Sequence, residues 1–190
     1  MRVSKEHKEK IRDAILQSAA GGFREKGYDG LGVDGLAKAA GMTSGAFYGH
    51  FSSKEEAFKN VLEKGLHDYG QAVKRFQEQY GPDWVRAFLD FYLGDEHLGN
   101  LACSCVVPGL SADVMRGGGD LKQLYAQGVS DISKKLSDGL DKSASGNVWA
   151  VMSMLAGAVM MARSVSDEKL VGDIITSARL WAEKMLEGKE

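Results

Sequence analysis

GMTSGAFYGHF, residues 41–51, holds three glycines, three aromatics and one histidine, and no acid. The chain around it carries 26 Asp and Glu among 190 residues, so a carboxylate-free segment stands out. Glycines at 41, 45 and 49 weaken any long helix, yet Phe47, Tyr48 and Phe51 cluster there. The preceding residues, VDGLAKAA (33–40), supply the context. Leu36 and Ala40 fall one turn apart on an inner face, and Ala37 sits where two helices cross closely. Gly41, four residues on, marks a sharp turn with positive φ, which glycine adopts without steric cost. Met42 plugs that turn, Thr43 or Ser44 caps a second short helix, and Phe47 returns to the core. The spacing predicts a helix-turn-helix, a unit that presents its second helix to the DNA major groove.

The rest of the chain reads as helical. Only two prolines occur, Pro82 and Pro108, and no segment alternates with period two. We expect a first helix from Ser4 to Lys26, capped near Ser4, with Ile11, Ala14, Ile15, Ala19 and Phe23 on one face and Gly27 ending it. Short helices over Val33–Ala40 and Ser44–His50 follow. Ser53, with Glu56 three residues later, predicts a capping box opening a long helix to about Tyr80. Another starts at Pro82, with Trp84, Phe88, Phe91 and Tyr92 on one stripe. Residues 94–120 look Gly-rich and irregular, and helices return over Leu121–Leu140, Gly146–Ser164 and Asp167–Leu186. The fold class is therefore all-α: a three-helix, helix-turn-helix DNA-binding domain over 1–52, and a larger helical domain for effector binding and dimerisation over 53–190.

Composition sets bounds on function. The net charge is −2, which does not suggest a nonspecific polyanion binder. Residues 1–60 nevertheless carry ten Lys and Arg against eight acids, so the smaller unit is the more basic. MRVSKEHKEKIRDA has no apolar core of a secretory signal, and WAVMSMLAGAVMMA (149–162) is too short to span a bilayer. A cytoplasmic protein with reduced thiols is expected, with no membrane partner. No nucleophile triad, phosphate-binding glycine loop before a strand, or carboxylate pair is arguable, so an enzyme is not expected. RGGGD (116–120) reads as a helix–helix connection.

GLGVDGLAKAAGMTSGAFYGHFSSKEEAF, residues 30–58, resembles the N-terminal signature of the tetracycline-repressor (TetR) family of bacterial transcriptional regulators, above all in the Tyr-x-His-Phe followed by Ser-Lys-Glu. The resemblance covers residues 4–60 closely and extends more loosely to 190 through YLGDEHLGNLACSCVVPGLSADV, AGAVMMARSV and ITSARLWAEKML. It implies that Ser44, Gly45 and Ala46 open the recognition helix nearest the base edges, that Tyr48 and His50 reach phosphates or bases, and that Thr43 and Lys54 contact phosphate. On residue type alone, Lys54 also reads as a solvated helix-start lysine. Gly32 departs from the family pattern, which often has a hydroxyl there. Gly45 and Gly49 leave few base-reading side chains, so thymine-methyl contact through Ala46 and DNA shape are expected to carry part of the specificity.

One short recognition helix reads few base pairs, so a homodimer on a palindromic double-stranded operator is expected. Ser153, Ala156, Gly157 and Ala158 allow close helix approach, and Ile174, Ala178, Trp181 and Met185 lie on an apolar stripe with Leu170 and Ile175. Together these make the candidate dimer surface. Phe88, Phe91, Tyr92, Leu110, Met115, Tyr125, Trp149 and Met152 are candidates to line a pocket for a small, largely apolar effector, or else plain core. His97, Cys103 and Cys105 match no common zinc spacing, so no metal or cofactor is expected. The reading is a repressor released by its effector. A thiol-based redox repressor using Cys103 and Cys105, or an activator, is the alternative.

Overall fold

Ile15, Leu16, Ala19 and Phe23 recur at helical spacing and form the buried stripe of α1 (Lys5–Lys26). The computed structural model describes residues 5–187, so the cap expected at Ser4 lies outside the described residues. Ala14, expected on the inner face, is exposed and Leu16 takes the buried position instead. Gly27 ends the helix at φ +72, with its N–H on the Phe23 carbonyl at 2.9 Å. Two short helices follow, α2 (Val33–Ala39) and α3 (Ser44–Tyr48), and then α4 (Lys54–Tyr80). At 27 residues, α4 is about 40 Å long.

Helix α4 joins the two ends of the molecule. Its first turns bury Ala57, Phe58, Val61 and Leu62 beside α1, where Phe58 meets Phe23 and Tyr28 edge-on, each at 5.1 Å. Farther along, Leu66 and Val73 pack toward α8 (Gly119–Asp138). That crossing is close: a β-carbon at Gly128 would fall 2.5 Å from Leu66 Cδ1, so only glycine fits. A 3₁₀ turn at Gly81–Asp83 leads into α5 (Trp84–Tyr92). Trp84 donates its indole N–H to the Gly139 carbonyl at 3.1 Å, fixing α5 to the end of α8.

Residues 94–116 depart from the expected irregular chain. They form α6 (Asp95–Gly99) and α7 (Val106–Arg116). Cys105, Val106, Leu110 and Val114 turn the apolar face of this segment to the core, which offsets the weak helix preference of its glycines. The 117–118 connection is short, as the RGGGD reading predicts. The helix expected over Gly146–Ser164 is α10 (Val148–Arg163), a short unexpected helix, α9 (Lys142–Ser145), precedes it, and α11 (Glu168–Glu187) closes the chain. Helices α10 and α11 pack on each other, and Arg179 of α11 pairs with Asp90 of α5. Among the described residues there is no strand, and no helix is long and apolar enough to cross a membrane.

Candidate nucleic-acid interface and inner cavity

The turn between α2 and α3 is built from local hydrogen bonds. Gly41 adopts φ +70, its N–H meets the Lys38 carbonyl at 3.1 Å, and the Met42 N–H meets the Ala37 carbonyl at 2.9 Å. Thr43 caps α3 by accepting the Ala46 N–H at 3.2 Å. Ser44 donates its hydroxyl to Asp34 in the first turn of α2. Leu36, Ala37, Phe47 and Phe51 are fully buried, and Met42 and Ala40 pack against them. The helix stops at Tyr48, two residues before the expected end at His50, because the chain must turn at Gly49 to reach Ser53. The His50 and Phe51 N–H groups still bond to the Phe47 carbonyl, at 2.9 and 3.0 Å.

Gly45, Ala46 and Tyr48 are left on the outer face, with Tyr48 56% exposed. His50 is half-buried, and burial, then the nearby Lys8 and Arg12 cations, pushes its imidazole below the usual range. Lys54 points back into the protein. Its Nζ donates to the Tyr28 carbonyl at 3.0 Å and lies 4.0 Å above the Tyr28 ring. The expected capping box is altered too. Ser53 accepts the Glu56 N–H at 3.0 Å, but the Glu56 carboxylate reaches past it to the N–H and hydroxyl of Ser52, each at 2.7 Å. Those bonds hold Glu56 below the ordinary glutamate range.

Arg12 is the residue that sequence reasoning misses. From α1 it donates to the His50 carbonyl at 2.6 Å and to Asn60 Oδ1 at 2.8 Å, while its guanidinium sits 4.3 Å above the Phe51 ring. It therefore clamps the end of α3 between α1 and α4. Its partners are 38 and 48 residues away, so no local pattern marks it.

A cavity of about 270 Å³ opens on the other side of α1. Phe88, Phe91 and Tyr92 line it as expected positions, and Tyr69, His97, Cys105, Arg24, Asp68 and Arg75 join them. The other five expected lining residues do not. Leu110 and Met152 are core, and Tyr125 meets the Ser111 hydroxyl at 2.8 Å. Met115 and Trp149 face outward, 70% and 52% exposed. Burial pushes the Tyr69, Tyr92 and Cys105 protons up and the His97 imidazole down. The EHLGNLACSCVV segment contains His97 and Cys105, and these residues were the one available signal for this wall. Among the described residues no His, Cys, Asp and Glu cluster is placed to hold a metal.

Helices α10 and α11 expose an apolar face: Trp149, Met160, Met161, Leu170, Leu180 and Trp181 are all exposed. Of the residues expected there, Ser153 is exposed, Ala156, Gly157 and Ile174 are half-buried, and Trp181 is 52% exposed. Ala158 and Ala178 are buried within the protomer, and Met185 is half-buried. The closeness of α10 to α11 takes up those small side chains.

Residues 15–61, from α1 into the start of α4, match the family model described as bacterial regulatory proteins, tetR family. Similarity to the tetR family is thus shown for the helix-turn-helix end of the chain, residues 15–61. It is 36% identical over 67 residues to an uncharacterized HTH-type transcriptional regulator, YfiR, of Bacillus subtilis (35% of this chain, 33% of YfiR). It is 37% identical over 88 residues to IcaR of Staphylococcus aureus, named a negative transcriptional regulator of a biofilm operon (45% of this chain, 47% of IcaR). The chain thus spans between a third and a half of the length of these curated relatives. Likeness of fold runs farther: Escherichia coli NemR in its reduced form superposes with TM-score 0.76 at 18% identity, over 92% of this chain and 96% of that one.

Proposed function

We propose that this protein is a TetR-family, sequence-specific DNA-binding transcriptional repressor that acts in the cytoplasm as a homodimer and leaves its operator when a small molecule enters the inner cavity. One observation carries the reading. An acid-free helix with an exposed Gly45–Ala46–Tyr48 face is held rigidly on buried Phe47 and Phe51 and clamped by Arg12. Such a face meets phosphate without repulsion, and its small residues let the backbone approach the duplex. The roles of Thr43, Tyr48 and His50 at DNA belong to this proposal. Lys54 contributes by holding the Tyr28 loop, and its ammonium is already committed there. The working division keeps residues 1–52 as the DNA-binding unit, with α4 shared between it and the body.

The exposed apolar face of α10 and α11 supports the dimer. No β-carbon neighbour lies within 4 Å at Gly157 inside the protomer, so a second copy has room for close approach there. Two recognition helices would then lie about 34–36 Å apart, one DNA turn. Operator fragments selected from genomic DNA test the function: binding by fluorescence anisotropy should require Tyr48, with Tyr48→Ala weakening all fragments alike and leaving the salt slope nearly unchanged, because a neutral phenol releases no counterion. Undiminished binding by Tyr48→Ala removes Tyr48 from the phosphate contacts. The double substitution Met161→Glu and Trp181→Glu should give a folded monomer in sedimentation, and a persistent dimer refutes this surface.

The thiol-switched reading has less behind it. Cys105 is buried and burial pushes its thiol up, which disfavours the reactive thiolate.

A further inference from the structure

The inner cavity is short of negative charge. Arg24 comes from α1 and lines it; its Nη1 donates to the Ala102 carbonyl at 3.1 Å, but its buried Nε has no protein acceptor. Arg163 comes from α10 toward the same segment. Its Nε donates to the Leu98 carbonyl at 3.4 Å, and its buried Nη2 likewise has no acceptor. No carboxylate lies within 4.0 Å of either guanidinium among the described residues. The nearest wall groups do not neutralise them. Cys105, Tyr69 and Tyr92 keep their protons and His97 stays neutral, all through burial. Arg75 adds a third cation, and the one lining carboxylate, Asp68, pairs with Lys64 at 3.0 Å and attracts Arg24 only from beyond 4.0 Å. Buried guanidinium N–H groups without acceptors cost free energy that a bound anion recovers.

The same cavity presents flat walls. Tyr69 stacks against Tyr92 at 5.7 Å and Phe88 at 6.1 Å, and His97 lies between Tyr92 at 5.5 Å and Phe91 at 4.8 Å. Such faces accept a planar ring. Arg24 is itself seated by design of the backbone: a β-carbon at Gly109 would come within 3.2 Å of its Cγ, so the glycine lets the arginine stem lie flat between α1 and α7. From this geometry we infer that the cavity binds an aromatic monocarboxylate, its ring against Phe88, Phe91 and Tyr92 and its carboxylate on Arg24, with Arg163 behind.

This rests on the reading of the cavity as the effector site and deepens it. A carboxylate on Arg24 pulls on α1, the helix that carries Arg12 and so the end of α3. It thereby favours whichever spacing of the recognition helices α1 can follow.

Calorimetric titration of the full-length protein with benzoate, cinnamate and naphthalene-2-carboxylate, each beside its neutral carboxamide, tests the assignment. At least one acid should bind about tenfold or more tightly than its amide. Arg24→Gln, shown folded by circular dichroism, should abolish that preference, and Arg163→Gln should reduce it. Binding of none of the acids, equal binding of acid and amide, or an unchanged preference in Arg24→Gln overturns the inference. An acid that binds with the Arg24-dependent preference but leaves operator affinity unchanged keeps the site and sinks the effector-release reading. Release of operator by the amides in both wild type and Arg24→Gln does the reverse.

Discussion

Residues 41–51 and residues 94–116 are both central to the proposed regulator, and they are assembled on different principles. In the first, each decisive contact is local: Gly41 to Lys38, Met42 to Ala37, Ala46 to Thr43, Phe51 to Phe47. In the second, the decisive contacts are distant. Ala102 is held by Arg24 across 78 residues and Leu98 by Arg163 across 65. A local unit carries its own instructions and tolerates changes elsewhere. A cavity wall exists only when five helices, α1 and α4 to α7, agree on where to stand. This difference separates the segment proposed to meet DNA from the one proposed to hold an effector, and substitutions can be chosen to strain each side of it.

The largest effect should come from Phe47→Ala. Phe47 is fully buried in the local unit, and its truncation should cost about 3–5 kcal/mol in urea unfolding. Tyr48→Ala, one residue along the same helix but exposed, should change stability by under about 0.5 kcal/mol while weakening DNA binding. Similar stability losses for the two would show that α3 is not the one-sided element its burial describes. Arg12→Ala comes next. It removes two charge-assisted bonds from a half-exposed arginine, and about 2 kcal/mol of stability should go with them. Arg12→Lys should restore little, because an ammonium cannot reach both acceptors and the Phe51 face together. Full rescue by lysine would reduce the clamp to a simple charge. Arg12 is also the exception within the comparison, a distant contact that completes the local unit.

That exception shows where sequence reading stops. The turn, a cap at Thr43 or Ser44, the helix end at Gly27, the positive φ of Gly41 and the burial of Phe47 and Phe51 are legible because each follows from residues within one or two turns. The long α4 was legible because nothing in 54–80 interrupts it. The glycines of 94–120 read as irregular chain, yet Val106, Leu110 and Val114 find a core to face, and tertiary burial overrides weak propensity. The cavity lining differs from the expected one for a related reason. Aromatic and Met residues at helical spacing show that one face is apolar, but whether that face meets core, cavity or solvent depends on the neighbour. Phe88, Phe91 and Tyr92 meet the cavity, Leu110 and Met152 meet the core, and Met115 and Trp149 meet solvent. Polar residues such as Arg24 and Asp68 were invisible as cavity lining, since alone each resembles an ordinary helix-surface charge.

The smallest effect, and the sharpest on the DNA side, concerns His50. In the free protein its pKa is lowered, first by burial and then by Lys8 and Arg12. An unfolded chain, with the ordinary value near about 6.5, therefore takes up a proton that the folded chain refuses. The sign follows: this contribution leaves stability unaffected well above that value and diminishes it as pH falls through it toward the folded pKa. Phosphate acts oppositely, favouring the charged imidazole, so operator binding should take up a proton and tighten as pH drops from about 7.5 to 5.5. One residue thus predicts two opposed pH dependences, stability falling while operator affinity rises. Both should flatten in His50→Gln, measured by thermal unfolding and by anisotropy across the same buffers. If only the stability trend flattens, His50 is a packed histidine beside Arg12 and the DNA-facing surface shrinks to Thr43, Gly45, Ala46 and Tyr48. If both flatten, the phosphate side of the interface extends past the end of α3 onto the turn that Arg12 holds, and the distant clamp becomes part of how the local unit reads DNA.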